Sequence, residues 1–437
     1  MPATALKPRA CNDRNVTSRT AALVALVVLG AALVAVLAFT TPWSTGPTPR
    51  GGRTPVSISP DFTEQEHARE DRFHREVRPW SYGNILLGLA VTLTLGLTPL
   101  GARIIELVAR PFGGGWAWRA VLGALALGLI GQGLAVPLAM RGEVILRRYG
   151  LSTQNWGSWW VDTLKGWAVA AVLGSLAALV FFAVVRAAPR WWWAWVAGGA
   201  AALVFVLSFL YPVLFEPIFN KFTPMPESSL RTELIAMADR DGVPVKDVLV
   251  ADASRRTTAL NAYVSGYGAS RRIVVFDTLL REAPDAEIEL VVAHELGHAK
   301  RNDVLHGTAV GALGAAAGVC LVYLILSWGP LLRRAGVDSI GDPRSLALLL
   351  AVVAVLGLVG LPMQNLISRR IEARADAHSL DLTRDPETFV QMQRRLSVKN
   401  ISDLDPNAFV YTVFSSHPTG PERIAQARDY AKTQAAR

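Results

Sequence analysis

Residues 193–214 read WAWVAGGAAALVFVLSFLYPVL, 22 positions without a charged side chain. As an α-helix rising about 1.5 Å per residue, such a run is long enough to cross the ~30 Å hydrocarbon core of a bilayer. Further uncharged or nearly uncharged runs of this kind lie at residues 21–39, 84–100, 121–140, 167–185, 305–328 and 346–361. About seven transmembrane helices are therefore expected. Composition agrees: of 437 residues, 51% are hydrophobic and only 18% charged, a balance that soluble multidomain chains do not show. No small-residue cleavage pattern follows the run at 21–39, which reads as an anchor and not as a removable signal peptide.

Tryptophans gather at the ends of the runs, at Trp116, Trp118, Trp156, Trp159, Trp160 and Trp191 to Trp193. There an amphipathic ring suits the headgroup level of a bilayer. The net charge of +9 comes from arginines and lysines scattered among the loops between apolar runs. They read as membrane flanks, and a nucleic-acid partner is not expected. Cys11 and Cys320 lie in a polar tail and an apolar run, so neither a disulfide framework nor a cysteine metal site is expected.

Three polar stretches remain. The first, residues 41–80, begins with Pro and Gly and turns to mixed charge, and reads as a solvated connector with a short helix whose His67 and His74 face solvent. In the second, residues 227–241 have helical periodicity, residues 247–251 and 272–276 read as strands, and residues 261–265 form a possible third. From Pro284, a residue suited to the first helical position, one helix is expected to run to Lys300.

That helix carries His294-Glu295-Leu296-Gly297-His298. Histidines four apart project from one helical face and can share one metal ion, while Glu295, offset by one position, stays off the metal but close to a water that the metal polarises. A catalytic zinc takes three protein ligands, so a third is needed downstream. Glu372, just past the last apolar run, is the candidate, and Asp376 one turn later is placed to accept from the N–H of a ligand histidine. The alternative is a solvated face on which Glu372 and Asp376 pair with Arg369, Arg370 and Arg374. Topology favours the ligand role. The two runs at 305–328 and 346–361 take the chain across the membrane and back, so residues 294, 298 and 372 can meet at one membrane face.

The division expected on this basis is a tail at 1–20 and a membrane region at 21–214 with five helices and the connector 41–80. A peptidase domain at 215–303, two transmembrane helices at 304–362 and a C-terminal peptidase part at 363–437 follow.

Beyond the pentapeptide, Phe215-Glu216-Pro217 with Lys221-Phe222-Thr223-Pro224, then Asn261-Ala262-Tyr263, RIVVFDTLL at 272–280, Glu372 to Asp376, Ser416-His417-Pro418 and Glu422-Arg423 follow in order. Together these stretches, from about Pro212 to the C terminus, resemble the integral-membrane CAAX prenyl endopeptidases of type 1, the a-factor-converting zinc metalloprotease family. The resemblance implies a mainly α integral membrane protein with a zincin-like metallopeptidase domain carrying a small β-sheet, and one Zn²⁺ per chain. It implies that Asn261, Ala262 and Tyr263 align the substrate as an added strand, that His417 faces the attacking water or the oxyanion, and that Arg423 acts on the site through charge. The substrate would be a peptide or protein, prenylated or bound to the lipid bilayer. The Ala- and Arg-rich usage points to a bacterial cell membrane, and the family places the catalytic side toward the cytoplasm.

Two other readings stand beside it. An HtpX-like quality-control protease shares the pentapeptide but has fewer spans, and a membrane scaffold or transporter with a structural zinc would have no use for a free carboxylate at Glu295. His306 and His378 are expected to be structural.

Overall fold

The structure, a computed structural model, describes residues 9–44, 49 and 52–435, and side chains from residue 17 onward apart from residue 269. The expectations for residues 1–8 of the tail, for the side chain of Cys11 and for residues 45–48, 50 and 51 of the connector lie outside the described residues. Seven helices among these are long and apolar enough to cross a membrane. In chain order they are Arg9–Thr40, Glu64–Leu97, Trp116–Arg148, Trp156–Ala187, Trp192–Leu214, Asp303–Leu326 and Leu346–Thr383, here called the first to seventh spans. Their outward Leu, Val and Phe side chains are exposed, as lipid-facing residues are.

The helices are longer than the apolar runs that mark them. The first already begins at Arg9, inside the expected tail. The second starts in the charged stretch, where Thr63 accepts from the Glu66 N–H and Glu66 accepts from the Thr63 N–H, a reciprocal cap at 3.2 and 2.9 Å. It then runs through Pro79 without interruption into the membrane segment. The expected separate short helix of the connector is therefore the outer end of the second span. His74 does not face solvent: its Nε2 lies 2.9 Å from the Ile401 carbonyl.

Two groups of spans form. The sixth packs between the first and fifth; the second lies against the third and seventh, and the fourth against the third. Beyond the membrane region, four strands make a sheet ordered β1-β2-β4-β3: β1 (Phe222–Pro224), β2 (Asp247–Ala251), β3 (Ala262–Ser265) and β4 (Arg272–Phe276). β2 and β4 are parallel, with Leu249 opposite Val274; β1 and β3 flank them antiparallel. β1 is too short for its pattern to show in the sequence.

On this sheet lies the helix Asp285–Lys300, one residue later than expected because Pro284 is its cap. Ile288, Leu290, Val292 and Leu296 are at most 1% exposed in a core shared with Leu234, Ile273, Leu380 and Phe389. Each such side chain contributes roughly 1.5–3 kcal/mol. The helix that carries the histidine motif is thus enclosed on nearly every side and cannot shift without breaking the core.

The connector is bound to the end of the chain. Phe62 packs with Leu404 and Ile424. Arg394 donates to the Asp61 carbonyl at 2.7 Å and to Glu66, and Arg428 pairs with the Asp61 carboxylate.

Candidate metal centre and active site

His294 and His298 stand on the same face of the enclosed helix, with their Nε2 atoms 3.2 Å apart. The seventh span continues past Pro362 as one 38-residue helix and brings Glu372 to them. Its Oε2 lies 3.2 Å from His294 Nε2, and its Oε1 3.6 Å from His298 Nε2. These residues form a group whose ligand atoms all lie within 4.8 Å of one another.

The opposite edges of both rings are already engaged. His294 Nδ1 is 2.9 Å from Asp376 Oδ1, and His298 Nδ1 is 2.9 Å from Asp303 Oδ2. In neutral rings the proton rests on Nδ1, where the carboxylates accept it, so both Nε2 lone pairs point at the same spot. Glu372 Oε2 is buried there without a hydrogen-bond partner. With both rings neutral, three electron-pair donors face one another there, an arrangement that fits a cation. Burial alone would hold His294 neutral, but the Asp376 and Glu372 carboxylates outweigh it and raise its pKa to about 10. The cage favours positive charge.

Glu295 sits beside this group. Burial pushes its carboxyl above the ordinary range and the Glu372 carboxylate adds to that, while the two imidazoles pull it down. Such a carboxyl is a base of raised strength.

His417, more than half exposed, places Nε2 3.5 Å from Glu372 Oε2. Arg423 is tied to Asp376, donating through Nε at 2.8 Å and through a second nitrogen, and its guanidinium also lies 3.3 Å from His294 Nδ1. Asn261 is exposed at the start of β3; its carbonyl accepts from the Phe276 N–H at 3.0 Å, and Ala262 and Tyr263 pair with β4. β3 is an edge of the sheet and packs on the histidine helix.

Two features of the site were not anticipated. Asp303 lies five residues after His298, a spacing that a continuous helix would turn away; it reaches the ring because Asn302 between the two helices is left-handed, with φ 53°. Arg374 pairs with the other oxygen of Asp303. His378 packs against Gly297 and lies 2.9 Å from Asp241, which also accepts from Lys300 at 2.6 Å. His306 meets the Thr40 hydroxyl of the first span. A further group, His67, Glu70 and Asp71, lies on the outer end of the second span, where Asp71 is exposed.

The sequence model of peptidase family M48 matches residues 224–431, and that of the five-helix N-terminal region of CAAX prenyl proteases matches residues 50–221. The uncharacterized metalloprotease YhfN of Bacillus subtilis is 32% identical over 305 residues, 69% of this chain and 71% of its own length. The chain belongs to peptidase family M48. Among its M48 relatives, CAAX prenyl protease 1 of Saccharomyces cerevisiae is 26% identical over 78% of this chain and 77% of its own. The crystal structure of Ste24p from S. mikatae superposes with a TM-score of 0.75 at 22% identity, covering 93% of this chain and 98% of that one. The protein is a membrane-embedded, multi-pass M48 metallopeptidase of the CAAX prenyl protease type. The five-helix region separates it from the shorter HtpX-like proteases, and the scaffold and transporter readings fall with it.

Proposed function

We propose that the metal is zinc, one ion per chain, held by His294, His298 and Glu372, and that Glu295 is the catalytic base for peptide-bond hydrolysis. The observation that carries this reading is the pair of imidazole Nε2 atoms 3.2 Å apart, one 3.2 Å from Glu372 Oε2, which is buried without a hydrogen-bond partner, and the other 3.6 Å from Oε1 of the same carboxylate. A bound zinc ion supplies a Lewis acid that acidifies water and polarises a carbonyl. Glu295 accepts the proton of the attacking water as its oxygen bonds to the scissile carbon, and delivers it to the departing amine as the C–N bond breaks. His417 donates to the oxyanion. Asp376 holds the His294 tautomer, and Arg423 offsets the charge of Asp376 and is thereby a positioning residue.

Residues 261–263 receive the substrate: the free edge of β3 offers backbone groups to an extended peptide beside the metal. The substrate is a membrane-bound peptide or protein, and relatives named as CAAX prenyl proteases favour a prenylated one. The Ala- and Arg-rich usage supports residence in a bacterial cell membrane, and the family resemblance supports a site toward the cytoplasm.

Purified Glu295→Gln should retain stoichiometric zinc by elemental analysis and lose nearly all cleavage of a fluorogenic farnesylated peptide, because an amide is no base. Turnover retained in that variant would remove Glu295 from its role. Equal cleavage of the unmodified peptide by the wild type would remove the prenyl requirement.

A further inference from the structure

His294 and His298 are backed in parallel ways. Behind His294 stands Asp376, itself paired with Arg423. Behind His298 stands Asp303, itself paired with Arg374. The first relay comes from the seventh span and the C-terminal helix; the second joins the sixth span, of which Asp303 is the first residue, to the seventh. An acidic residue in a first helical turn has a plainer use, since it stabilises the partial positive charge of the helix start. Two observations go beyond that use. The Asp303 carboxylate is tied at one oxygen to the His298 ring and at the other to Arg374, leaving it about 10% exposed. The turn that delivers it is held in a left-handed conformation at a residue other than glycine, with Arg271 donating at 3.0 Å to the Asn302 side chain and at 3.1 Å to the Ala299 carbonyl.

We propose that Asp303, held by Arg374, is a positioning residue for the metal centre that fixes the tautomer and angle of His298. This rests on the assignment of His298 as a ligand. By accepting from Nδ1–H, Asp303 leaves the Nε2 lone pair directed at Glu372; without it the ring can protonate at Nε2 or rotate away. A change at the head of the sixth span is then felt in metal affinity, not only in stability.

The test uses the full-length protein in detergent, with zinc affinity read by competition against a chromophoric chelator and melting temperature read alongside. Asp303→Ala should bind zinc about 10–100-fold more weakly, the range for loss of a carboxylate behind a ligand histidine. Asp303→Asn, nearly isosteric and a good helix-start residue, should keep the fold and lie between wild type and the Ala variant. Arg374→Gln should show a smaller loss in the same direction. If Asp303→Asn and Asp303→Ala bind zinc as tightly as the wild type, or if the Ala variant does not fold and the Asn variant binds as tightly, the proposal is overturned and only the helix-start role stands. His298→Ala measured in parallel separates the two levels: a loss of zinc there with wild-type affinity in the Asp303 variants refutes this inference alone. Wild-type affinity in His298→Ala refutes the ligand assignment beneath it.

Discussion

A methyl group built onto Gly297 would stand 3.0–3.1 Å from the His378 ring, closer than side chains normally approach. Two effects compete in Gly297→Ala. Alanine in a helix gains about 1 kcal/mol over glycine, whereas overpacking a dense core costs about 1–3 kcal/mol. The ring cannot easily yield, because Asp241 holds its far side at 2.9 Å and is itself held by Lys300. Gly297→Ala is expected to lower the melting temperature in detergent and to weaken zinc binding, since His294 and His298 flank the displaced turn. A raised melting temperature would show that His378 swings aside. At this scale the site divides by range. The two histidines, four positions apart, could be read from the chain, and Glu372 and Asp376 from the demand for a third ligand and a backing carboxylate. Asp303 could not, because nothing in a pattern of apolar and polar letters announces the left-handed turn at Asn302.

Among the elements, the second and seventh spans approach most closely where small residues meet. A Cβ on Gly96 would stand 2.5 Å from the Ala351 Cβ and 2.6 Å from the Ala347 carbonyl oxygen. The obstacle includes backbone, so no rotamer change relieves it. Without a hydrophobic force between helices in lipid, such contact is the main source of their association. Gly96→Ala should therefore loosen the pair, costing about 1–3 kcal/mol by overpacking, and a thermal melt in detergent checks it. An unchanged melt would mean that the helices separate freely at that level. Apolar length made the spans legible, while their true ends were not. Pro79 and Pro362 look like terminators, yet both lie inside helices, where neighbouring helices can satisfy the freed carbonyls. β1 went unseen because three residues, one of them Pro224, carry no alternation; its place is fixed by pairing with β2.

Across the whole molecule, residues far apart in sequence hold the catalytic half together. Asp61 is enclosed between Arg428 and Arg394, more than 300 positions away. Asp61→Ala should destabilise the C-terminal helices by about 1.5–3 kcal/mol, the value of a charged hydrogen bond in a partly buried place. Limited proteolysis should then cut within residues 400–435 sooner than in the wild type; an identical digestion pattern would show that Phe62 and its apolar neighbours suffice. The binding of the connector to the chain's end also limits what can be isolated. A fragment starting near residue 215 would carry all the groups proposed to perform hydrolysis, yet it would leave Leu404 and Ile424 bare and Arg394 and Arg428 without their acid. The enzyme cannot be trimmed to a soluble catalytic core by a single cut, and two separately expressed halves would have to reassemble through that seam before either could work.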